Sequence, residues 1–367
     1  MGKLWSRSQD DDGKSRLDEV DLSSLRIEKP TLVYLSGFLT NNNRPGYVAG
    51  GIKKMQEMLK DRAEVAEQPE VYAWSHTSLK NLFNLAAYNM FPGRRASKAG
   101  YDLGAGVLMP LVAKDFSRDK KGKVTGSPLP AEEAKKNLRN VTFFGYSAGS
   151  IVAQETFNAT LKMMQKVGYK EKDARALLKE VALISVGTIS RPSKETDRFS
   201  TVYLVASNDR INRFKNWIWG TLGTALRVIF GRYGLDKKNK DLSIRPLSDS
   251  SLFLSTSVRP TLYEWKYTDA GQKESKKWFD PLYPKWTLRR SYHELPHYLT
   301  TDDKNNRFSR IALYAMINAV NRKESIKPQQ LIEPPANSKD DVGEYSKRIE
   351  QAMKPAPAQF AGTKPAA

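Results

Sequence analysis

Asn140-Val-Thr-Phe-Phe-Gly-Tyr-Ser-Ala-Gly149, running on into Ser150-Ile-Val-Ala-Gln-Glu155, decides how the chain is read. Val141 to Phe144 are β-branched or aromatic, as a buried strand requires. Gly145-Tyr-Ser-Ala-Gly149 then fits G-x-S-x-G, a pattern that turns a strand sharply into a helix. A side chain at either glycine should collide with the neighbouring strand or helix, and Ser147 should be held in strained geometry. Ser147 then stands above a sheet at the start of a helix predicted over 150–167. There the backbone N–H of Ala148 can face a developing negative charge.

Working outward, the same pattern of strand and helix recurs. Thr31 to Leu35 read as a buried strand ending at Ser36-Gly37, and Glu70 to His76 contain a second. Val181 to Val186 end at Gly187, and Val202 to Ala206 end at Ser207-Asn208-Asp209. Between them, Ile52, Met55, Met58 and Leu59 recur at helical spacing. Further helices are predicted over 99–116, from Pro130, over 174–180 and over 307–321. Ser117 to Ser127 read as a flexible basic loop. Strands are also expected over 252–256 and 261–267. The alternation predicts an α/β protein: a mostly parallel central sheet flanked by helices.

The chain has 367 residues, about forty per cent of them hydrophobic, which is enough for a sizeable core. There is no cysteine, so disulfides, thiolate chemistry and Cys-ligated zinc are excluded. No metal-ligand spacing such as H-E-x-x-H occurs, and neither metal nor organic cofactor is expected. The formal charge is +20, which suits an anionic membrane surface or a solvated basic exterior. Nucleic acid is disfavoured as a partner, because no zinc finger, RNP-like motif or arginine-rich arm accompanies the charge. No apolar signal region and no run long enough to span a bilayer is seen, so a cytoplasmic or peripheral-membrane location is expected. Met1-Gly-Lys-Leu-Trp-Ser6 matches the myristoylation pattern, although a disordered leader accounts for it as well.

Candidate site residues follow from position. Asp209 lies just beyond the carboxyl end of a buried strand, where catalytic groups of open α/β sheets gather. Two of the three histidines, His293 and His297, lie before the last predicted helix, and His297 stands nearer to it. His76 is read as structural. Phe38 and Leu39, after Gly37, could supply a second backbone donor beside that of Ala148. The aromatic and basic stretch 211–232 reads as a cap helix, a lid or an interfacial helix. Trp278, Phe279, Tyr283 and Trp286 could line an apolar pocket or the core.

Gly145-Tyr-Ser-Ala-Gly149, Ser207-Asn-Asp209 and His293 to Thr300 occur in the order Ser, Asp, His. In this the chain resembles the α/β-hydrolase superfamily from about residue 30 to 322. It departs from the commonest lipase pattern, since Ser36-Gly37 stands where a His-Gly pair is usual. The resemblance implies a serine esterase or lipase-like enzyme acting on a small-molecule or lipid ester. Ser147 would be the nucleophile, His297 or His293 the base and Asp209 the acid, with Glu264 or Asp280 next in line. A catalytically silent binding protein on the same fold is the alternative expectation. The expected layout is a disordered leader over 1–29, the hydrolase domain over 30–322 with a cap or lid at 211–240, and a disordered tail over 323–367.

Overall fold

The computed structural model describes residues 2–9, 15–37, 45–75, 96–119, 121–188, 199–206, 243–256, 295–299 and 307–335, with single positions at 347 and 351. The elements, in chain order, begin with β1 (Lys3–Gln9), β2 (Ser15–Val20), β3 (Thr31–Leu35), α1 (Pro45–Leu59), β4 (Glu70–Ser75) and α2 (Lys98–Leu103). Next come β5 (Ala113–Arg118), β6 (Val124–Pro128), α3 (Ala131–Arg139), β7 (Val141–Tyr146), α4 (Gly149–Lys166) and α5 (Glu171–Leu178). The remainder are β8 (Ala182–Val186), β9 (Ser200–Ala206), β10 (Ser243–Ser248), β11 (Ser251–Thr256), α6 (Leu295–Tyr298), α7 (Arg307–Asn321) and α8 (Pro328–Ile332).

One nine-stranded sheet runs in the order β10-β11-β9-β8-β7-β3-β4-β1-β2. Its middle, from β11 to β4, is parallel throughout, and β1, β2 and β10 add antiparallel edges. Helices cover both faces, so the central strands are apolar on both sides. Alternation along β3 sends Leu32 and Tyr34 to a core with α1 and α7, and Val33 and Leu35 to one with α4 and α5. In the second core Phe157 of α4 meets Phe199 edge-on at 5.0 Å, and Phe199 packs tilted against Phe143 at 5.6 Å. The expected α/β class with a large, mostly parallel sheet is therefore what the chain adopts. No described helix is long and apolar enough to cross a membrane.

The order of strands fixes where a site can form. From β3 the chain goes outward to β4, then returns to the other side of β3 and continues through β7, β8, β9 and β11. The direction of winding therefore reverses between β3 and β7, and the crevice beyond their carboxyl ends is where open α/β sheets bind ligands.

Four expectations are corrected. The leader expected to be disordered over 1–29 contains β1 and β2, with Leu4 buried and the Trp5 indole N–H donating to Ser75 Oγ at 2.8 Å. Its polar composition belongs to a sheet edge, where Lys3 pairs with Glu19 and Arg16 with Asp18. The tail expected to be disordered from 323 begins with ordered chain, since Leu331 and Ile332 of α8 are buried against α7. There the Asn318 side-chain amide donates to the backbone carbonyls of Gln330 and Leu331 in α8 and to that of Glu333 just after it, the last at 2.7 Å. The loop expected over 117–127 is mostly the hairpin β5–β6, held at its base by Tyr169, whose hydroxyl meets the carbonyls of Val112 and Leu129. The single helix expected over 99–116 is α2, a π-helical turn over 104–108, a short 3₁₀ turn and then β5. Gly100 lets this segment pack backbone to backbone on α4, and Gly104 makes room for the side chains of Thr160 and Met163, which the apolar pattern alone does not reveal.

At the amino ends of the strands lies a partly buried charged network around Glu180. Arg139 Nε donates to Glu180 at 2.9 Å, and Ser325 donates to the same carboxylate. Arg322 donates to Thr142 Oγ1 at 2.7 Å and to the carbonyls of Val141 and Ala319. Burial pushes its guanidinium down to about 9, against the pull of Glu180. This network stands at the far end of β7 from Ser147 and ties α7 to the sheet.

Candidate active site

Ser147 sits one residue past β7 and two before α4, with φ +54°, in the left-handed region that non-glycine residues rarely adopt. Hydrogen bonds hold it there. Its N–H donates to the Val186 carbonyl at the end of β8, 3.0 Å away, and its carbonyl accepts from Ser150 N–H at 3.3 Å. The turn is possible because its two glycines lack side chains. A Cβ on Gly149 would stand 2.0 Å from the Leu35 carbonyl oxygen, and one on Gly145 would stand 2.9 Å from Ser150 Cα and N. Both clashes are with backbone, which cannot swing aside as a side chain can.

A third glycine completes the crevice. Gly37 follows β3, and a Cβ there would lie 3.2 Å from Ser147 Cβ and 2.9 Å from the Tyr146 ring. The chain leaving β3 therefore passes beside Ser147. It is fixed by Ser36, whose hydroxyl and N–H both donate to the Trp74 carbonyl of β4, at 2.8 and 3.3 Å. Phe38 and Leu39 come directly after this point but lie outside the described residues.

α4 supplies the polarity. It is 18 residues long, its N-cap is Ala148 with no side-chain cap, and its first turn carries no acid. Among the described residues no acceptor takes the Ala148 N–H. Uncapped N–H groups and the positive end of the helix dipole thus lie beside Ser147.

Of the other expected site residues, Asp209 lies outside the described residues, three positions beyond the end of β9. His293, His76, Glu264 and Asp280 lie outside them too, as do the stretches 211–240 and 278–290. His297 belongs to α6, though its side chain is outside the description. Its neighbour Tyr298 is fully buried and meets the Tyr146 ring edge-on at 6.2 Å. Gly187, φ +55°, gives Tyr298 room, since a Cβ there would lie 3.0 Å from the ring. α6 is thereby set at the carboxyl ends of β7 and β8, and Ser309 Oγ of α7 donates to the Tyr298 carbonyl at 3.0 Å.

Two supporting groups escaped sequence reasoning. Tyr146 and Tyr298 read only as aromatic residues within larger patterns. Ser185 is the one polar residue in the apolar run Val181 to Val186, a signal that could have marked it as bonded to something specific.

Compared with models of known protein families and with curated proteins, the chain matches none.

Proposed function

We propose that the protein is a serine hydrolase that cleaves a carboxylic ester of small-molecule or lipid-like class through an acyl-enzyme on Ser147. The observation that carries this reading is the conformation of Ser147: φ +54° at the switch point of a parallel sheet, between glycines that backbone contacts require. Strain of this kind costs about 1–3 kcal/mol and persists where the surroundings enforce it. A serine serving only as a turn residue would be better replaced by glycine or asparagine at such a φ.

His297, or His293 in its place, takes the proton from Ser147 Oγ as that oxygen attacks the ester carbonyl carbon. Asp209 orients the imidazole and stabilises its cation. The Ala148 N–H, with that of Phe38 or Leu39, holds the oxyanion, each donor contributing about 3 kcal/mol. The alcohol departs with the proton from the imidazolium. Water, deprotonated by the same imidazole, then releases the acid and restores Ser147. For the stretch 211–240 the proposed role is a cap or lid, or else a membrane-facing insertion whose aromatic and basic residues suit an anionic surface.

A fluorophosphonate probe tests the assignment. It should label the wild-type chain at Ser147, and Ser147→Ala should remove the label. Turnover of p-nitrophenyl acyl esters should be lost in Ser147→Ala and in one of His297→Ala and His293→Ala. Equal labelling of the Ser147→Ala variant would sink the reading.

A further inference from the structure

Beneath Ser147 lies a pair of buried hydroxyls that the proposed chemistry does not use. Ser185 of β8 is fully buried, and its Oγ donates to Ser150 Oγ at 2.8 Å. Ser150, in the first turn of α4 and also buried, donates onward to the Gly145 carbonyl at 3.0 Å. Gly145 and Ser185 are register partners across β7 and β8. The relay therefore joins three elements at one point: the strand entering the turn, the helix leaving it and the strand alongside.

Its position in the chain is specific. Gly145 is two residues before Ser147 and Ser150 is three after, so the hydroxyl bond closes the turn across the serine. It complements the backbone bonds that the Ser147 amide and carbonyl make with Val186 and Ser150. Together they fix the first turn of α4, and with it the direction of the Ala148 N–H. A buried hydroxyl needs a partner, and here each is satisfied by the next. Leu183, two residues back on β8, belongs to the apolar core, whereas Ser185 itself lies in register between Gly145 of β7 and Tyr203 of β9.

We infer that Ser185 and Ser150 are positioning residues for the nucleophile, a relay that holds Ser147 and the Ala148 N–H in attacking geometry. This rests on the hydrolase reading. Neither hydroxyl touches substrate. Their effect is on orientation, where a misplacement of about 1 Å can cost on the order of a hundredfold in rate.

The experiment is the kinetics of fluorophosphonate labelling of the full chain, resolved into probe affinity (KI) and maximal rate (kinact). Ser185→Ala and Ser150→Ala should each lower kinact roughly tenfold with KI unchanged. The double variant should be no slower than the worse single one, as expected of groups that act as a unit. Thr156→Val is the control. Thr156 is equally buried on α4 and donates to the Val152 carbonyl at 2.8 Å, but it lies further along the helix, away from the turn. It should label at the wild-type rate. A wild-type kinact in Ser185→Ala, or an equal slowing in Thr156→Val, overturns the inference and leaves the hydrolase reading standing. A wild-type chain that takes no label at Ser147 overturns both.

Discussion

Tyr146 and Tyr298, 152 positions apart in sequence, meet edge to face at 6.2 Å and bring the segment bearing His297 alongside the turn bearing Ser147. The contact is one residue from each proposed catalytic side chain. Truncating Tyr298 should therefore do two things. Stability should fall by about 3–5 kcal/mol, as for other buried aromatic residues cut to alanine. A double-mutant cycle with Tyr146→Leu and Tyr298→Leu should give a coupling of about 0.5–1.5 kcal/mol in urea unfolding. A coupling near zero would show that the rings are neighbours without mutual energetic effect.

Glycines with and without room should separate cleanly. Gly149→Ala forces a Cβ to 2.0 Å from the Leu35 carbonyl oxygen, so strand and helix must part. The expected loss is about 3 kcal/mol or more. Gly122, at φ +82° in the β5–β6 turn, has nothing within 4 Å of its Cβ position. Gly122→Ala should cost only about 1–2 kcal/mol, the penalty of the left-handed conformation itself. Chemical denaturation of both variants checks the ranking.

Stability should fall in alkali. Tyr34 is buried between Gly51 of α1 and the Phe144 ring, and burial raises its pKa well above the usual 10.0. Tyr72, half exposed, is raised by burial and by its hydrogen bond to Glu70. A tyrosine with a raised pKa keeps its proton longer in the folded chain than in the unfolded one. Its contribution is complete below pH about 10 and is lost as the pH climbs toward the folded-state value. Tyr34 should add a slope of about 1.4 kcal/mol per pH unit above that point, visible in urea midpoints against pH. Tyr34→Phe should flatten the curve, and an unchanged slope would refute the assignment.

The amino-terminal strands should behave as core. Leu4, 1% exposed between Trp74 and the α2 side of the sheet, should cost about 2–5 kcal/mol when changed to alanine. The amides of β1 that pair with β4, from Lys3 to Ser6, should be protected in hydrogen exchange. Exchange at the rate of an unstructured peptide would contradict their place in the sheet.

Much of the fold is legible in the chain because its signals are local. Thr31–Leu35 and Arg307–Asn321 are found to the residue, since a doubly buried strand is continuously apolar and a core helix repeats every three to four residues. The turn at Ser147 is legible for the same reason: its requirement for two glycines acts over five residues. β1 and β2 are not, because the edge strand β2 and its neighbour β1 carry charges that resemble those of a solvated leader. Nor is β10, with Arg245 and Pro246 in its midst.

What the amino acids alone determined is the α/β alternation, the strained serine between glycines and the order in which an acid and two histidines follow it. What only the tertiary structure decided is which of these meet. That β3 and β7 are neighbours, that Gly37 lies beside Ser147, that Tyr298 reaches Tyr146 and that Ser185 reaches Ser150 are all facts of strand order and helix packing. Such contacts join residues tens to hundreds of positions apart. They are set by how two apolar faces of one sheet are covered, and no local spacing encodes that.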